Sequence, residues 1–394
     1  MRIAPTAGPC WRGLATAAAL ALLPAAAHAD AGQGINYSVG ASLTHDDNLL
    51  RLPPGFDPAG ALGAIQKSDT FSTTSLGLVA YKEIGIQRLN LDVQVNRSRY
   101  RRFTYLDNDG HNIVGSWAWA VGHRLRGDLS FSSKESLSSF EDTNTRVRNI
   151  NTVTAQSASA YLQVAPDWVL FGILGNDDST NSATSNQAAG YASRNTETGL
   201  RYSARAGHQL SLSLRQSRSD DQVRQDNFDV RSTWVYSGLT RLSAGFGGVR
   251  RRDESGGGAT SDSSGATGNL DVAWAMSPKT QFSLAARRDV EPAASNFSTN
   301  TLVRGATLGA NWAPTVKTSL QFSLDRTITL YAADPSAATA PREDSVRGAG
   351  LTLSVRPDRV LSLSFSLRDE TRDSNQARFS YRYLVATASA VFAF

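Results

Sequence analysis

The sequence predicts an all-β protein, a transmembrane antiparallel up-and-down β-barrel of about 18 strands, with 16 as the alternative. Three observations predict it. Apolar and polar residues alternate in runs of about ten positions along most of the chain. The connections between these runs are short and long by turns. Six tryptophans lie beside the short connections.

The first segment sets the compartment. Arg2 and Arg12 are basic, Leu14 to Leu23 are apolar, and Pro24 leads into Ala27-His28-Ala29. This pattern predicts a secretory signal over 1–29 and a barrel over 30–394. No stretch reaches the ~20 apolar residues that a membrane helix needs. The one cysteine, Cys10, lies in the predicted signal, so the exported chain would hold no disulfide and no thiolate metal site. Length alone suggests two or three soluble domains, but no linker divides the 394 residues. The formal charge of +5 falls to +3 when Arg2 and Arg12 leave. That balance, with no basic patch interleaved with aromatics, argues against nucleic acid as a partner. No phosphate loop, zinc motif or dinucleotide fingerprint is present, so neither cofactor nor metal is expected.

The strands follow in order. Ile35, Tyr37, Val39, Ala41 and Leu43 alternate with Asn36, Ser38, Gly40, Ser42 and Thr44, giving a strand with one apolar face. A second runs from about Thr70 to Lys82, a third through Leu89, Leu91, Val93 and Val95, and a fourth through Gly115, Trp117, Trp119 and Val121. The fifth sets Leu125, Leu129 and Phe131 against Arg126, Asp128, Ser130 and Ser132. Others lie near 150–164, 168–175, 196–205, 208–217, 228–236, 240–249 and 266–275. The last are near 280–288, 302–312, 317–326, 346–355, 360–368 and 380–394.

Eight short turns are expected, near Lys82–Gln87, Gly122–Arg124, Ala165–Asp167, Ala206–Gly207, Ser237–Leu239, Met276–Lys279, Ala313–Val316 and Pro357–Arg359. Nine long loops are expected near 45–69, 97–112, 133–149, 176–195, 218–227, 250–265, 289–301, 327–345 and 369–379. Outer-membrane barrels sort their connections this way, short in the periplasm and long outside, which places both termini in the periplasm. Trp117, Trp119, Trp168, Trp234, Trp274 and Trp312 all sit next to short turns on the apolar parity, as an aromatic girdle at one interface requires. The last strand alternates from Leu384 to Phe394, and its terminal aromatic resembles the signal read by the barrel-assembly machinery.

Some stretches resemble a known family. They are Val39 to Arg51, a strand followed by Asp46-Asp47-Asn48-Leu49-Leu50-Arg51, and Asn96-Arg97-Ser98-Arg99-Tyr100-Arg101-Arg102-Phe103-Thr104-Tyr105-Leu106-Asp107, followed by Asn108-Asp109-Gly110. With the closing strand at Phe394, they resemble the EpsL family of outer-membrane barrels associated with exosortase/PEP-CTERM systems and exopolysaccharide biosynthesis. The resemblance implies a conduit through which polysaccharide crosses the outer membrane, with periplasmic export partners and outer-membrane lipid around it. A diffusion porin, general or solute-specific, and a structural or adhesive barrel are the alternatives.

A conduit needs a hydrated wall rather than a catalytic group. The inward parity holds Asn90, Asp92, Gln94, Asn96, Arg126, Asp128, Glu197, Arg201, Arg205 and Arg215. It continues with Asp229, Arg231, Asn269, Asp271, Gln281, Arg287, Gln321, Asp325 and Arg368. These are the polymer-contact candidates, since charged linings set barrel selectivity. Arg97, Arg99, Arg101 and Arg102 form a basic segment at the outer rim, suited to an anionic polymer or to lipid phosphates. Asp46-Asp47-Asn48 and Asp107 to Gly110 offer oxygen ligands without the spacing of a calcium loop. His45 and His111 lie near carboxylates, but no nucleophile motif accompanies them, and no enzyme is expected.

Overall fold

The computed structural model describes residues 34–59, 66–142, 147–183, 190–204, 207–220, 223–253, 261–292, 300–331 and 341–394. The segment read as a signal, 1–29, and the candidate Arg205 lie outside them. Eighteen strands form: β1 Gly34–Asp46, β2 Asp69–Ile84, β3 Gln87–Tyr100, β4 Asn108–Val121, β5 Leu125–Leu137 and β6 Ile150–Ala165. Then come β7 Trp168–Asn181, β8 Tyr191–Ser203, β9 Gln209–Ser219, β10 Val223–Ser237, β11 Thr240–Asp253 and β12 Ser261–Ser277. The last six are β13 Thr280–Pro292, β14 Asn300–Thr315, β15 Thr318–Tyr331, β16 Glu343–Val355, β17 Leu361–Ser374 and β18 Tyr381–Ala393.

Each strand pairs antiparallel with the next, and β18 returns to β1 from Ser38↔Ala393 to Asp46↔Val385. The ladder therefore has no free edge, and its backbone donors and acceptors are satisfied without water. Phe394 extends the closure, its N–H donating to Tyr37 O at 2.9 Å while Tyr37 N–H donates to Phe394 O at 2.8 Å.

One face of this sheet is apolar all the way round. Val39 pairs with Leu76, Leu76 with Val95, Leu212 with Val230, Leu284 with Leu308, and Leu308 with Leu324. These residues are uncovered: Phe246 is 69% and Leu214 59% exposed. A soluble protein does not leave such a continuous belt in water, so this face is built for lipid. The inner face carries Ser, Thr, Gly and charged residues, with hydroxyl pairs such as Ser130–Ser157 at 2.8 Å and Ser364–Ser389 at 2.7 Å.

A one-residue slip would exchange the two faces. Among the described residues, the register shifts lie between Gln163 and Ala165, Val235 and Ser237, Ala275 and Ser277, and Trp312 and Thr315, all beside short turns. The parity holds across each span. Gly85 and Gly122 supply the left-handed backbone of their turns, both at φ +61°.

The short turns lie where the alternation places them, but the strands run further outward than expected. β4 begins at Asn108 rather than 115, β7 continues to Asn181 rather than 175, and β17 to Ser374 rather than 368. The expected long loop 218–227 shrinks to the connection 220–222. The reason is solvation. Beyond the lipid the outward face can be polar, so the alternation stops while the ladder continues.

Candidate permeation pathway

The wall comes first. Asn90, Arg126, Asp128, Asn269, Asp271, Gln281 and Gln321 stand on the inner face and are exposed to the lumen. Asp92, Gln94, Asn96, Glu197, Arg201, Arg215, Asp229, Arg231, Arg287, Asp325 and Arg368 share that face and are half-buried. They are spread around the circumference rather than gathered in one site. Asn90, Asp92 and Gln94 lie on β3, with Arg126 and Asp128 on β5. On β8 to β10, Glu197 is in register with Arg215, and Arg215 lies 3.6 Å from Asp229. Arg201 has its guanidinium 5.3 Å from the Phe171 ring centre and 5.7 Å from that of Tyr161. On β12 and β13, Asn269 donates to Asp271 at 2.9 Å and is in register with Arg287. Gln281, Asn311 and Gln321 form a row across β13, β14 and β15. On β17, Arg368 bridges Asp325 at 3.0 Å and Glu370 at 2.6 Å.

The outer half of the lumen is occupied. Tyr381 and Tyr383 on the inner face of β18 are 2% and 1% exposed, although a wide barrel should leave them wet. Two connections, after β1 and after β5, lie against them, and the connection 101–107 joins these two. The first, after β1, is folded by its own polar groups. Arg51 Nη1 donates to both oxygens of Asp46 at 2.9 and 2.8 Å, Leu52 N–H donates to Asn48 Oδ1 at 2.9 Å, and Asn48 Nδ2 donates to Leu52 O at 2.9 Å. Arg51 takes φ +53°, the one positive φ outside glycine among the described residues, and stacks 3.5 Å from the Tyr383 ring centre. The second connection, 101–107, is held by Asp69, whose carboxylate accepts Arg102 N–H at 3.1 Å and Phe103 N–H at 2.9 Å.

The third connection, after β5, crosses furthest. It reaches past β4, β3, β2, β1 and β18 to β17 and the residue before β16. There Asp142 accepts from Arg372 and from Arg342, each at 2.8 Å, and Glu141 O accepts from Arg372 at 3.0 Å. Asp344 on the wall engages both arginines. Leu49, Leu50, Leu52, Tyr100, Phe103, Leu106 and Phe140 seal the three connections in one apolar cluster, with Phe56, Phe71 and Leu137 packed against it.

Burial pushes the Glu141 carboxyl up, the Glu370 charge pushes it further, and Arg51 pulls it back, leaving it at about 7. Burial works against the Arg51 charge, but the Asp46 carboxylate outweighs it and holds the guanidinium above its ordinary range.

Sequence reasoning missed this inward fold. Glu370 and Arg372 could have been added from their parity with Arg368 on β17, and Asp344 from its parity with Thr352 on β16. The infolding itself had a signal in the apolar residues of connections read as outer loops, among them Leu49, Leu50, Phe103, Leu106 and Phe140.

The remaining candidates are elsewhere. Arg97 and Arg99 face outward on β3, where Arg97 pairs with Asp109 at 2.8 Å and Arg99 with Asp107 at 3.6 Å. Arg101 and Arg102 lie in the connection, Arg102 donating to Ser68 O at 2.8 Å. The oxygens suggested for calcium have other work. Asp46 serves Arg51, Asp47 accepts Leu384 N–H at 2.7 Å, and Asp107 accepts Tyr100 N–H at 2.8 Å. His45 bonds Thr70 at 2.8 Å and His111 bonds Ser133 at 3.0 Å. Trp117, Trp168, Trp234, Trp274 and Trp312 are exposed on the outward face beside the short turns, and Trp119 packs over Gly127 on the same face.

No protein-family model matches the chain, and no curated protein does. Solved structures do resemble it in fold. OccK2 (OpdF) of Pseudomonas aeruginosa in complex with glucuronate is 14% identical with a TM-score of 0.54, over 93% of this chain and 100% of that one. OpdK of Pseudomonas aeruginosa with vanillate is 11% identical with a TM-score of 0.54, over 91% and 99%. A BenF-like porin from Pseudomonas fluorescens Pf-5 is 10% identical with a TM-score of 0.54, over 92% and 99%.

Proposed function

We propose that this chain is an outer-membrane channel through which small polar solutes, carboxylates among them, diffuse passively. The observation that carries the reading is the inward fold of three connections, fastened to the wall through Asp46–Arg51, through Asp69 to the Arg102 and Phe103 N–H groups, and through Asp142–Arg372. A lumen narrowed by fixed ion pairs admits solutes by size and charge. A polymer conduit needs it clear. The inner wall is polar, and Arg201, Arg215, Arg231 and Arg287 give it basic groups in the path of an anion. The fold-level likeness to OccK2 in complex with glucuronate and to OpdK with vanillate adds support for acids as cargo. Outer-membrane placement, periplasmic termini and recognition of Phe394 by the assembly machinery belong to the same reading, and no catalytic group is required by it.

Polysaccharide export is the second reading. It rests on the EpsL-like residues, of which Asp46, Asp47, Asn48 and Arg51 fold the first connection and tie it to β18. Deleting the gene in its host separates the two. The channel reading expects surface polysaccharide to be unchanged and uptake of small organic acids to fall. Loss of surface polymer with normal uptake would reverse the assignment.

A further inference from the structure

The outward face changes character where the strands leave the apolar belt. Arg194 on β8 is in register with Arg218 on β9, Arg218 with Arg224 on β10, and Arg224 with Arg252 on β11. On later strands Arg288 is in register with Arg304. Like charges directly opposite one another destabilise a sheet. The carboxylates on this stretch of wall are few among the described residues. Asp226 pairs with Arg224 at 3.0 Å, and Asp262 with Arg250 and Arg252 at 3.0 and 3.1 Å. Asp178 and Asp220 share a shallow hollow with Arg194 without reaching ion-pair distance. Arg194, Arg218 and Arg304 are exposed, with no carboxylate at ion-pair distance among the described residues.

The level of this row is defined. On β10, Trp234 beside its short turn and Arg224 share the outward face. At ~3.3 Å per residue they are about 33 Å apart along the strand. A tilt of about 40° makes this about 25 Å of height, the thickness of a barrel's apolar band. The arginines thus stand at the interface opposite the tryptophans, on the side of the long connections.

We propose that the outward arginine row, centred on Arg194, Arg218, Arg224 and Arg252, binds the phosphates of the phosphorylated glycolipid of the outer leaflet. This rests on the outer-membrane placement proposed above. A guanidinium fork matches phosphate oxygens in two-point contacts, and phosphate removes the repulsion that the row otherwise carries. A lipid with two phosphates on one rigid headgroup spans neighbouring strands ~4.8 Å apart better than a single phosphodiester does.

The test uses the full chain with phosphatidylcholine vesicles carrying one of two anionic lipids at matched charge, bis-phosphorylated lipid A or phosphatidylglycerol. A third arm adds inorganic phosphate to plain phosphatidylcholine. The lipid A vesicles should bind at least tenfold more tightly than phosphatidylglycerol vesicles, with no effect of inorganic phosphate. Changing Arg194→Gln, Arg218→Gln, Arg224→Gln and Arg252→Gln together should abolish that preference. Changing Arg97→Gln and Arg382→Gln, which face Thr74 and Asp109 and Thr371 rather than another arginine, should preserve it. Equal binding of both lipids by the unmodified chain, stabilisation by inorganic phosphate alone, or an unaffected quadruple variant overturns the proposal. Channel conductance recorded on the same samples separates failures: an open channel without lipid preference sinks this inference alone, and a chain that forms no channel sinks the placement.

Discussion

Glu141 is the residue whose protonation has the most to act on. It sits on the connection that crosses the lumen, between Glu370, Asp142, Arg51 and Arg372, and its carboxyl is raised to about 7 from an ordinary 4.5. The docked connection therefore holds a proton that the undocked one releases. The Glu141 contribution to docking is full below the ordinary carboxylate value and is lost as pH rises through about 7. Conductance should climb between about pH 5 and 7, and Glu141→Gln should flatten the profile at the closed end. A profile that climbs unchanged in that variant assigns the titration elsewhere. Arg51 makes a second residue-scale case. Its partner Asp46 is 3% exposed, so Arg51→Leu leaves a buried carboxylate unpaired. Such a loss costs about 3 kcal/mol, and it should appear as a lower urea midpoint for the folded barrel in micelles. An unchanged midpoint would mean that the pair contributes nothing at the β1–β18 seam.

At the scale of the element, the strands were legible wherever lipid sets the rule. Residues such as Leu210, Leu212 and Leu214 alternate with Gln209, Ser211 and Ser213 because one face meets hydrocarbon and the other water. Above the lipid that constraint ends, which is why Asn108 to Asn112 and Val223 to Asn227 read as loop rather than strand. The wall residues were legible by the same parity. The constriction was not, because it depends on contacts between distant segments: Asp142 with Arg342 and Arg372 leaves no local periodicity. The strand scale makes its own prediction. Leu214→Arg, mid-belt on β9, should destabilise the barrel by about 2–4 kcal/mol, whereas the same change at Ser211 on the inner face should cost far less. Equal effects in denaturant titrations would mean that the two faces have been exchanged.

At the scale of the whole molecule, closure and constriction act together. Eighteen strands closed by β1 against β18 give a barrel wide enough for a lumen, and the same seam anchors the first infolded connection through Asn48 Nδ2 to Arg382 O at 2.9 Å. The central claim is that this interior is a size-limited diffusion path whose narrowest part is set by the Asp142 tether. Liposome swelling with the purified chain tests it most directly, comparing small organic acids, disaccharides and long oligosaccharides for the native chain and for Asp142→Ala. The acids should enter, long oligosaccharides should be excluded, and Asp142→Ala should raise the size limit. Free passage of long oligosaccharides through the native chain, or no passage of any solute through either protein, would contradict it.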